Sequence, residues 1–274
     1  MTIVVTGATG TVGRLVVRQL VDSGRKVRAV TRGGAPFPTP IEVVRADLDT
    51  PESLTSAFTG AEALLLLCRP ATALDVARLA ERCGVRRIVT LSSIRAEGER
   101  DAPYHLAVER AVESVDVAWT HLRPGMFAAN LLGWAEAIRG TGVVREPYSA
   151  AAQTPIHEAD IAAVAVAALS HDGHAGRKYP LSGPQTLDKP EQLAAIGAGI
   201  GRALRFEEIS PDDWRARADS LPGFVQDLLL EIWTGSAATP EPVLPTVAEV
   251  TGRPARTLAE WAADHAADFG GDPR

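Results

Sequence analysis

Three regularly spaced glycines near the start of the chain suit phosphate binding. Gly7, Gly10 and Gly13 form a GxxGxxG pattern that lies between a strand-like TIVV segment and a helix-like segment. Backbone N–H groups of such a turn, with the N-terminus of the helix, hold a dinucleotide pyrophosphate. A glycine-rich turn that binds nothing is the alternative, but strand, spacing and helix together favour binding. The residues assigned to this turn are Gly7, Thr9, Gly10, Thr11, Val12 and Gly13.

A cation follows the second predicted strand, about 20 residues beyond the glycines. At this position an acidic residue favours NAD, whereas here the sequence reads Thr31-Arg32. A guanidinium is the better partner for a 2′-phosphate. The sequence therefore predicts that NADP(H) is preferred over NAD(H), with Arg14 as a candidate second cation. A solvated surface arginine is the alternative reading of Arg32.

These residues need a scaffold, and the first 120 residues supply one. Short β-branched segments alternate with amphipathic segments, which is the pattern of βαβ units around a parallel sheet. We predict an α/β fold with a doubly wound parallel sheet. The predicted strands span 2–6, 26–31, 41–46, 63–68, 87–91 and 118–122, and the predicted helices span 11–23, 51–58, 71–83 and 104–114.

The alternation breaks beyond about residue 140, where proline and glycine become denser. We predict a Rossmann NAD(P)-binding domain over residues 1–140 and a smaller C-terminal substrate-binding lobe over 141–274. Some segments of that lobe are expected to return to the Rossmann sheet. Its predicted elements are helices at 160–170, 190–201 and 258–269 and a strand at 179–182.

Composition excludes several classes of protein. The 274 residues carry 28 Lys and Arg against 34 Asp and Glu, a formal charge of -6, so direct nucleic-acid binding is not expected. No apolar run reaches the roughly 20 residues of a membrane span, and no secretory signal is read at the N-terminus. Cys68 and Cys83 lack the spacing of a disulfide framework or a zinc site. We expect a cytoplasmic protein without a metal site.

Later motifs follow the glycine turn in a specific order. They are Ala46-Asp47-Leu48-Asp49, Leu91-Ser92-Ser93, His105 to Glu109, Leu122 to Phe127 with Asn130, His157 to Ala162, and Gly252-Arg253-Pro254 leading into 258–261. With TGATGTVG, these motifs make nearly the whole chain resemble the NmrA-like group of the extended and atypical short-chain dehydrogenases/reductases. Members of this group bind NADP(H). They include quinone, isoflavone-type and other reductases, and redox-sensing regulators that bind the cofactor without turnover.

The resemblance assigns residues to the two halves of the cofactor. It implies that Asp47 and Leu48 lie against the adenine, although Asp47 in the alternative only caps the following helix. Beside the middle of the cofactor it implies Leu67, Cys68, Arg69 and Pro70. All of these positions follow predicted strands, as expected for a ligand at the carboxyl ends of a parallel sheet.

For the nicotinamide half, the resemblance implies Ser92 and Ser93 near the ribose and Pro124 to Phe127 beside the carboxamide, with Pro124 and Phe127 as the contact residues. The alternative is that the two serines only accept hydrogen bonds from backbone amides at the end of the strand.

One expected catalytic feature is missing. Short-chain dehydrogenases usually protonate the substrate oxygen with a tyrosine followed four residues later by a lysine, but Tyr104 is followed by Val108. If the helix is aligned with the family instead through Glu109 and the Leu122-Arg123-Pro124-Gly125 segment, His105 takes the lysine position and Asp101 the tyrosine position. His105 is the first candidate proton donor, because a histidine with its ordinary pKa of about 6.5 can act as donor or acceptor near neutral pH. Tyr104 is the second candidate. A surface or cap histidine and a packing tyrosine are the alternatives.

These observations predict an NADPH-dependent oxidoreductase that reduces a small apolar electrophile, such as a quinone, an enone or a related carbonyl compound. Quinones and enones need less acid assistance, because charge develops on a delocalised oxygen. The alternatives are a redox sensor that acts through a protein partner and a non-redox isomerase or cyclase. A homodimer is left open. The substrate-contacting residues are predicted to be Asn130, Trp134, Tyr148 and His157.

Overall fold

The structure is a computed structural model that describes residues 1–33, 37, 41–99 and 102–271. Within these residues, seven parallel strands form one sheet in the order β3-β2-β1-β4-β5-β6-β8, and β7 pairs in parallel with β9. The strands are β1 (Thr2–Val5), β2 (Lys26–Thr31), β3 (Glu42–Arg45), β4 (Ala63–Leu66), β5 (Arg87–Leu91), β6 (Ala118–Pro124), β7 (Val143–Glu146), β8 (Arg177–Leu181) and β9 (Arg205–Glu208). The predicted doubly wound α/β class is confirmed.

The described α-helices range from single turns to sixteen residues. They are α1 (Gly13–Asp22), α2 (Thr55–Phe58), α3 (Pro70–Arg82), α4 (Ala107–Glu113), α5 (Ala135–Gly140), α6 (Glu158–Ser170), α7 (Lys189–Ile200), α8 (Pro211–Arg217), α9 (Gly223–Ala238), α10 (Thr246–Thr251) and α11 (Leu258–Asp264). None of the helices in the described residues is long and apolar enough to cross a membrane.

The chain divides into two compact units. Unit 1 consists of Met1–Gly125, Glu158–Leu181 and Thr246–Arg253. Unit 2 consists of Met126–His157, Ser182–Pro245 and Pro254–Arg274. The chain first passes from unit 1 to unit 2 after Gly125, which directly follows the end of β6.

Unit 1 is the sheet with helices on both faces. The amphipathic α1 buries Val16, Val17 and Leu20 and stops before Gly24, whose φ of +73° suits glycine. It packs against α6, and Gln19 Nε2 donates to the Ala159 carbonyl oxygen at 3.1 Å. On the other face, α3 packs against α4 and α2. This arrangement leaves the carboxyl ends of the strands to the connecting loops.

Two segments that sequence analysis placed beyond residue 140 return to unit 1. The α6 helix is apolar on nearly all sides and packs against α1 and against β4, β5 and β6. The β8 strand extends the sheet beside β6, with Thr120 opposite Arg177. A seventh strand therefore joins the six predicted from the first 124 residues.

Unit 2 has its own apolar core, and two of its helices begin with a capping box. Trp134, Ile138, Ile196, Trp261 and Phe269 are among the buried residues of its main cluster. The α7 helix begins with an Asp188–Glu191 capping box, and α11 begins with one between Thr257 and Glu260. The helix predicted at 258–269 is split into α11 and a 3-10 turn, Ala266–Phe269. Strands β7 and β9 and helices α5, α8, α9 and α10 were not predicted.

Candidate active site

The glycine turn after β1 brings two stretches of backbone closer than side chains allow. Gly7 has φ +59°, in the left-handed region that favours glycine. A Cβ on Gly13 would lie 2.1 Å from the Gly7 carbonyl oxygen, and one on Gly10 would lie 3.2 Å from the same atom. Position 13 therefore requires glycine for this turn to close on the start of α1.

The start of α1 suits an anion. Val12 stands at the N-cap and provides no side-chain hydrogen bond to the helix, and Thr9, Gly10 and Thr11 are exposed. The first N–H groups of a helix carry partial positive charge and need acceptors. The turn thus fits a pyrophosphate, because it offers backbone donors without a Cβ in the way.

The turn lies where the order of the strands reverses. On one side of β1 lie β2 and β3, and on the other lies β4. Thr6 joins the end of β1 to β4, because its Oγ1 donates to the Leu65 carbonyl oxygen and accepts from the Leu67 N–H, both at 2.9 Å. Ligands of open α/β sheets bind at such switch points. Thr6 was not predicted as a site residue, because its partners are 59 and 61 residues away in sequence.

Two arginines lie at the ends of β2 and β3. Arg32 is exposed directly after β2, and Arg45 Nε donates to the Arg32 carbonyl oxygen at 3.1 Å. Thr31 Oγ1 donates to the Gly33 carbonyl oxygen and stabilises the turn after β2. Arg14 is exposed in the first turn of α1. Arg45 was not predicted, because its approach to Arg32 depends on the pairing of β2 with β3.

Asp47 follows β3 and stabilises a turn. Its Oδ1 accepts the Asp49 N–H at 3.0 Å, and the Ser53 hydroxyl donates to its carbonyl oxygen at 3.1 Å. Thr50, not Asp47, stands at the N-cap of the 3-10 turn that follows. Leu48 is partly buried against the core of unit 1. Asp47 therefore shapes the backbone at this strand end without capping the next helix.

The residues after β4 combine an inert thiol with an exposed cation. Burial raises the pKa of the Cys68 thiol to about 12, so this cysteine is not a nucleophile at neutral pH. Leu67 is partly buried beside Gly7. Arg69 is exposed and its Nη1 lies 3.7 Å from Asp49 Oδ2. Leu67 and Arg69 thus reach two of the other strand ends in this unit.

Ser92 and Ser93, after β5, have different partners. The buried Ser92 donates from Oγ to Glu109 Oε1 at 2.5 Å. Ser93 Oγ accepts the Arg95 N–H at 3.2 Å. Ser93 thus satisfies a local amide, whereas Ser92 is joined to a charged group.

Glu109 forms a buried ion pair that was not predicted as functional. The side chain is fully buried on α4, and Arg123 of β6 donates to both of its oxygens, from Nε at 2.9 Å and Nη2 at 2.6 Å. Burial works to raise the pKa of Glu109, but hydrogen bonds from Arg123 and Ser92 outweigh it and lower the pKa. The carboxylate is therefore ionised at neutral pH.

The polar network continues to His121. Thr90 Oγ1 and His121 Nδ1 are 2.7 Å apart, and His121 Nε2 lies 3.4 Å from Glu113 Oε1. Lys178 Nζ lies 2.7 Å from the same Glu113 oxygen. Burial lowers the pKa of His121 to about 4, against the opposing effect of Glu109 and Glu113. His121 is thus neutral at neutral pH.

Glu109, Glu113 and His121 also have ligand atoms within 4.8 Å of one another, a spacing that suits a metal ion. Arg123 pairs with Glu109, however, and Lys178 pairs with Glu113. The carboxylates of this group are therefore neutralised by side chains.

Both predicted proton donors lie in one π-helical turn, Ala102–Leu106, that leads into α4. Tyr104 is 47% exposed and His105 is partly buried, and their rings meet edge to face at 4.9 Å. Turns of this type often occur at functional sites. Val108, at the usual lysine position, is buried. Asp101 lies outside the described residues.

A backbone hydrogen bond fixes the residue that follows β6 to the end of β8. Pro124 is the final residue of β6 and is buried. The Gly125 N–H donates to the Leu181 carbonyl oxygen at 2.9 Å, which joins the end of β6 to β8. In unit 2, Phe127 pairs with Ile156 and precedes a 3-10 helix that carries the exposed Asn130.

Trp134 is buried in unit 2 and belongs to a cluster of polar and aromatic side chains. Its indole Nε1 donates to Glu146 Oε1 at 2.8 Å. The buried Lys189 donates to Glu146 Oε2 at 2.7 Å and lies 3.4 Å from the centre of the Trp233 ring. Burial lowers the pKa of Lys189, against the opposing effect of Glu146. This cluster was not predicted, because its members are distant in sequence.

Tyr148 and His157 differ in exposure. Tyr148 is half-buried and has φ +56°, the one positive φ of a non-glycine residue in the described chain. Such strain is often found at binding sites. His157 is buried, with Nε2 at 3.3 Å from Asp264 Oδ2. Of the four predicted substrate residues, Asn130 and Tyr148 have accessible surface, and Trp134 and His157 make internal contacts.

Two known proteins similar to this chain along nearly its whole length are reductases. A (4-alkanoyl-5-oxo-2,5-dihydrofuran-3-yl)methyl phosphate reductase from Streptomyces griseus is 40% identical over 287 residues, which cover 97% of this chain and 99% of that protein. An NAD(P)H azoreductase from Xenophilus azovorans is 34% identical over 289 residues, with 98% and 99% coverage.

The fold is shared with a solved structure, the NADPH-dependent quinone oxidoreductase of Escherichia coli in complex with NADPH. The TM-score is 0.81 at 26% identity, over 96% of this chain and 99% of that chain. Residues 7–172 match the model of the NAD(P)H-binding family. The chain therefore belongs to the NAD(P)H-binding family, and it is an NAD(P)H-dependent oxidoreductase.

Proposed function

We propose that the protein transfers hydride from NADPH to a small apolar electrophile, such as a quinone, an enone or a related carbonyl compound. The observation that carries the proposal is the glycine turn at the β1–β4 switch point. There the Gly7 carbonyl oxygen lies 2.1 Å from where a Gly13 Cβ would stand, and α1 begins without a side-chain cap. A pyrophosphate is the ligand that such a turn fits.

The preference for NADPH rests on cations at the ends of two strands. Arg32 and Arg45 are exposed and joined by the 3.1 Å hydrogen bond between Arg45 Nε and the Arg32 carbonyl oxygen. No acidic residue stands at the end of β2 to bind the ribose of NAD. Arginine forms charge-assisted hydrogen bonds with phosphate. Arg32 is proposed to bind the 2′-phosphate, with Arg45 and Arg14 adding positive charge.

The remaining cofactor residues are proposed mostly at the strand ends of unit 1, and one of them, Phe127, belongs to unit 2. Glycine-turn residues Gly7 to Gly13 hold the pyrophosphate, and Asp47 and Leu48 contact the adenine. The bound nicotinamide supplies the hydride. Residues proposed beside the middle and the nicotinamide half of the cofactor are Leu67, Cys68, Arg69, Ser92, Ser93, Pro124 and Phe127.

The class of substrate is supported by the relatives. Their names specify as substrates an alkanoyl-oxo-dihydrofuran that carries a methyl phosphate, an azo compound and a quinone. In all three the electrophilic atom belongs to a conjugated system, which spreads the incoming charge. Such acceptors suit a chain with Val108 where the usual lysine would stand. His105 is proposed to donate the proton, with Tyr104 as the second donor in the same turn.

The substrate site is proposed to involve Asn130, Trp134, Tyr148 and His157 of unit 2. Asn130 and Tyr148 have accessible surface for direct contact. Trp134 and His157 are proposed to fix the backbone around them through Glu146 and Asp264. Apolar walls with few polar anchors are typical of such pockets.

The experiment that tests this function measures binding before chemistry. Nicotinamide fluorescence is recorded while NADPH is titrated into the purified protein, and absorbance at the nicotinamide band is then followed as quinones, enones and aldehydes are added. We expect saturable binding and enzyme-dependent oxidation with quinones or enones.

Three other results would contradict the proposal. Absence of NADPH binding would disprove the assignment of the glycine turn. Tight binding without oxidation by any acceptor would favour a redox sensor with a protein partner. Conversion of an acceptor without net oxidation of NADPH would favour an isomerase or a cyclase.

A further inference from the structure

We propose that Glu109 makes Ser92 a hydrogen-bond acceptor toward the cofactor, so that Ser92 receives a hydrogen bond from the nicotinamide half and donates none to the substrate oxygen. This inference rests on the proposed function, since it takes the carboxyl end of β5 to lie against the cofactor. It makes Glu109 a positioning residue that acts through Ser92.

The direction of the Ser92 hydrogen bond follows from the chemistry of its partner. Ser92 Oγ lies 2.5 Å from Glu109 Oε1. An ionised carboxylate has no proton to donate, and a serine hydroxyl has only one. Ser92 must therefore be the donor of this bond, and its proton is committed to Glu109.

Arg123 and Lys178 keep Glu109 ionised. Arg123 donates to both carboxylate oxygens, at 2.9 and 2.6 Å, and Lys178 Nζ lies 3.9 Å from Oε2. A bidentate arginine pair is a strong charge-assisted interaction. Protonation of Glu109 would leave the Arg123 guanidinium without its counter-charge, a costly change for a pair in which the carboxylate is fully buried.

The lone pairs of Ser92 Oγ remain for a ligand. No donor among the described residues reaches this oxygen. The Ser92 N–H donates to the Leu122 carbonyl oxygen at 2.7 Å, which fixes the backbone at the end of β5. Ser92 is thus fixed through its backbone N–H and through its hydroxyl proton, and a ligand group that meets the hydroxyl oxygen must itself be a donor.

Two donors on the nicotinamide half have this chemistry: the carboxamide N–H2 and a ribose hydroxyl. A substrate carbonyl is an acceptor and does not pair with a hydroxyl whose proton is committed. The geometry therefore separates cofactor positioning, at Ser92, from proton donation, which the proposed function gives to His105 and Tyr104.

The test compares Ser92→Ala with the wild type in competition titrations against NADPH fluorescence. The competitors are NADP+, its thionicotinamide analogue, which keeps the N–H2 group, and its 3-acetylpyridine analogue, in which a methyl group replaces N–H2. A fourth competitor, 2′,5′-ADP, lacks the nicotinamide half. We expect Ser92→Ala to weaken NADP+ by roughly three- to tenfold and to leave 2′,5′-ADP unchanged.

The analogues identify the donor. If the thionicotinamide analogue is weakened and the acetylpyridine analogue is not, the donor is the carboxamide. If both are weakened equally, the donor is a ribose hydroxyl. Unchanged affinity for all competitors overturns the proposal, and so does unchanged affinity with a single-turnover hydride transfer slowed tenfold or more, because Ser92 would then act on the substrate.

A double-mutant cycle with Glu109→Gln tests whether Glu109 acts through Ser92. We expect Glu109→Gln to weaken NADP+ but not 2′,5′-ADP, and to add no further loss in the Ser92→Ala background. Additive losses would overturn the positioning role. Ser114→Ala is the matched control, since this exposed serine at the end of α4 donates only to the Ala111 carbonyl oxygen.

Two failures remain distinguishable from this result. If Glu109→Gln does not fold, it loses 2′,5′-ADP as well, and the Ser92→Ala titrations alone decide the proposal. If the wild-type protein does not bind NADPH, the proposed function fails before any variant is compared.

Discussion

Arg32 is the residue expected to decide between the two nicotinamide cofactors. We predict that Arg32→Glu raises the Kd for NADPH about ten- to hundredfold, because a charge-assisted hydrogen bond is lost and a like charge faces the 2′-phosphate. The Kd for NADH should change little. Fluorescence titrations with both cofactors measure the difference.

Arg18→Glu is the control for the Arg32 variant. Arg18 is exposed on α1, and its Nε lies 3.8 Å from Asp22 Oδ2. The substitution makes the same change in net charge outside the proposed site. Equal losses of NADPH and NADH affinity in Arg32→Glu would contradict the assignment of Arg32 to the 2′-phosphate.

His105 is expected to act on the reaction and not on cofactor binding. We predict that His105→Ala slows hydride transfer about a hundredfold, the usual contribution of a general acid, while the Kd for NADPH stays within about twofold of the wild type. Stopped-flow absorbance at the nicotinamide band gives the rate. His171→Gln, in an exposed loop, is the control, and an unchanged rate in His105→Ala would shift proton donation to Tyr104.

Individual site residues were predictable where the signal is local. The glycine spacing and Arg32 are read within 30 residues of each other. Arg45 and Thr6 were missed, because their contacts depend on which strands are neighbours. Glu109 was recognised only as part of a family motif and not as a site residue, because no local pattern indicates its buried ion pair with Arg123, 14 residues away.

The β1–α1 turn is the element whose geometry is most restrictive. We predict that Gly13→Ala destabilises the protein by about 1–3 kcal/mol, the usual cost of overpacking, because a Cβ would lie 2.1 Å from the Gly7 carbonyl oxygen. It should also weaken NADPH at least about tenfold, since the backbone donors must shift. Chemical denaturation and fluorescence titration measure the two effects.

A glycine with open space provides the comparison for Gly13. Apart from its own helix and its chain neighbours, no atom of the described residues lies within 4 Å of a Cβ built on Gly133, so Gly133→Ala should leave both stability and NADPH affinity near those of the wild type. Gly10→Ala, with a 3.2 Å approach, should have an intermediate effect. Equal stability of Gly13→Ala and Gly133→Ala would contradict the tight closure of the turn.

Elements of unit 1 were predicted closely, because each strand has a continuous apolar signal and each helix a periodic one. Strands β2 and β5 begin and end where expected. The helix predicted at 104–114 begins instead as a π-helical turn, which side-chain periodicity does not reveal. Strands β7 and β9 have four residues each and polar ends, so no alternation marks them.

At the scale of the whole molecule, the order of segments in each unit was harder to predict than the fold class. The sequence of the apolar α6 does not indicate which face packs against the sheet, because residues on nearly all of its sides are buried. Its place in unit 1 depends on the pairing of β8 with β6, more than 50 residues apart. Local patterns therefore predicted six of the seven strands and a return of later segments to the sheet, but not that α6 and β8 are the segments that return.

The unfolding free energy of the whole molecule should fall in mild acid. Burial lowers the pKa of His121 from 6.5 to about 4, so the folded chain keeps this ring neutral while the unfolded chain protonates it. Between pH 6.5 and 4 the unfolded state binds more protons, and stability declines as pH falls. The loss from His121 amounts to at most about 3 kcal/mol. His174, whose pKa burial also lowers, acts in the same direction.

The acid sensitivity assigned to His121 can be tested with a variant that fits the charges around this ring. Glu113 lies 3.4 Å from Nε2 and Lys178 pairs with the same carboxylate, so His121→Gln keeps a polar side chain among them without a titrating ring. Urea denaturation at intervals from pH 7 to 4 should show a smaller decline for this variant than for the wild type, while His171→Gln should follow the wild type. Since Glu109 loses its stabilising charge only as pH falls below its ordinary pKa of 4.5, a wild-type curve that is flat down to pH 4.5 would contradict a neutral buried His121.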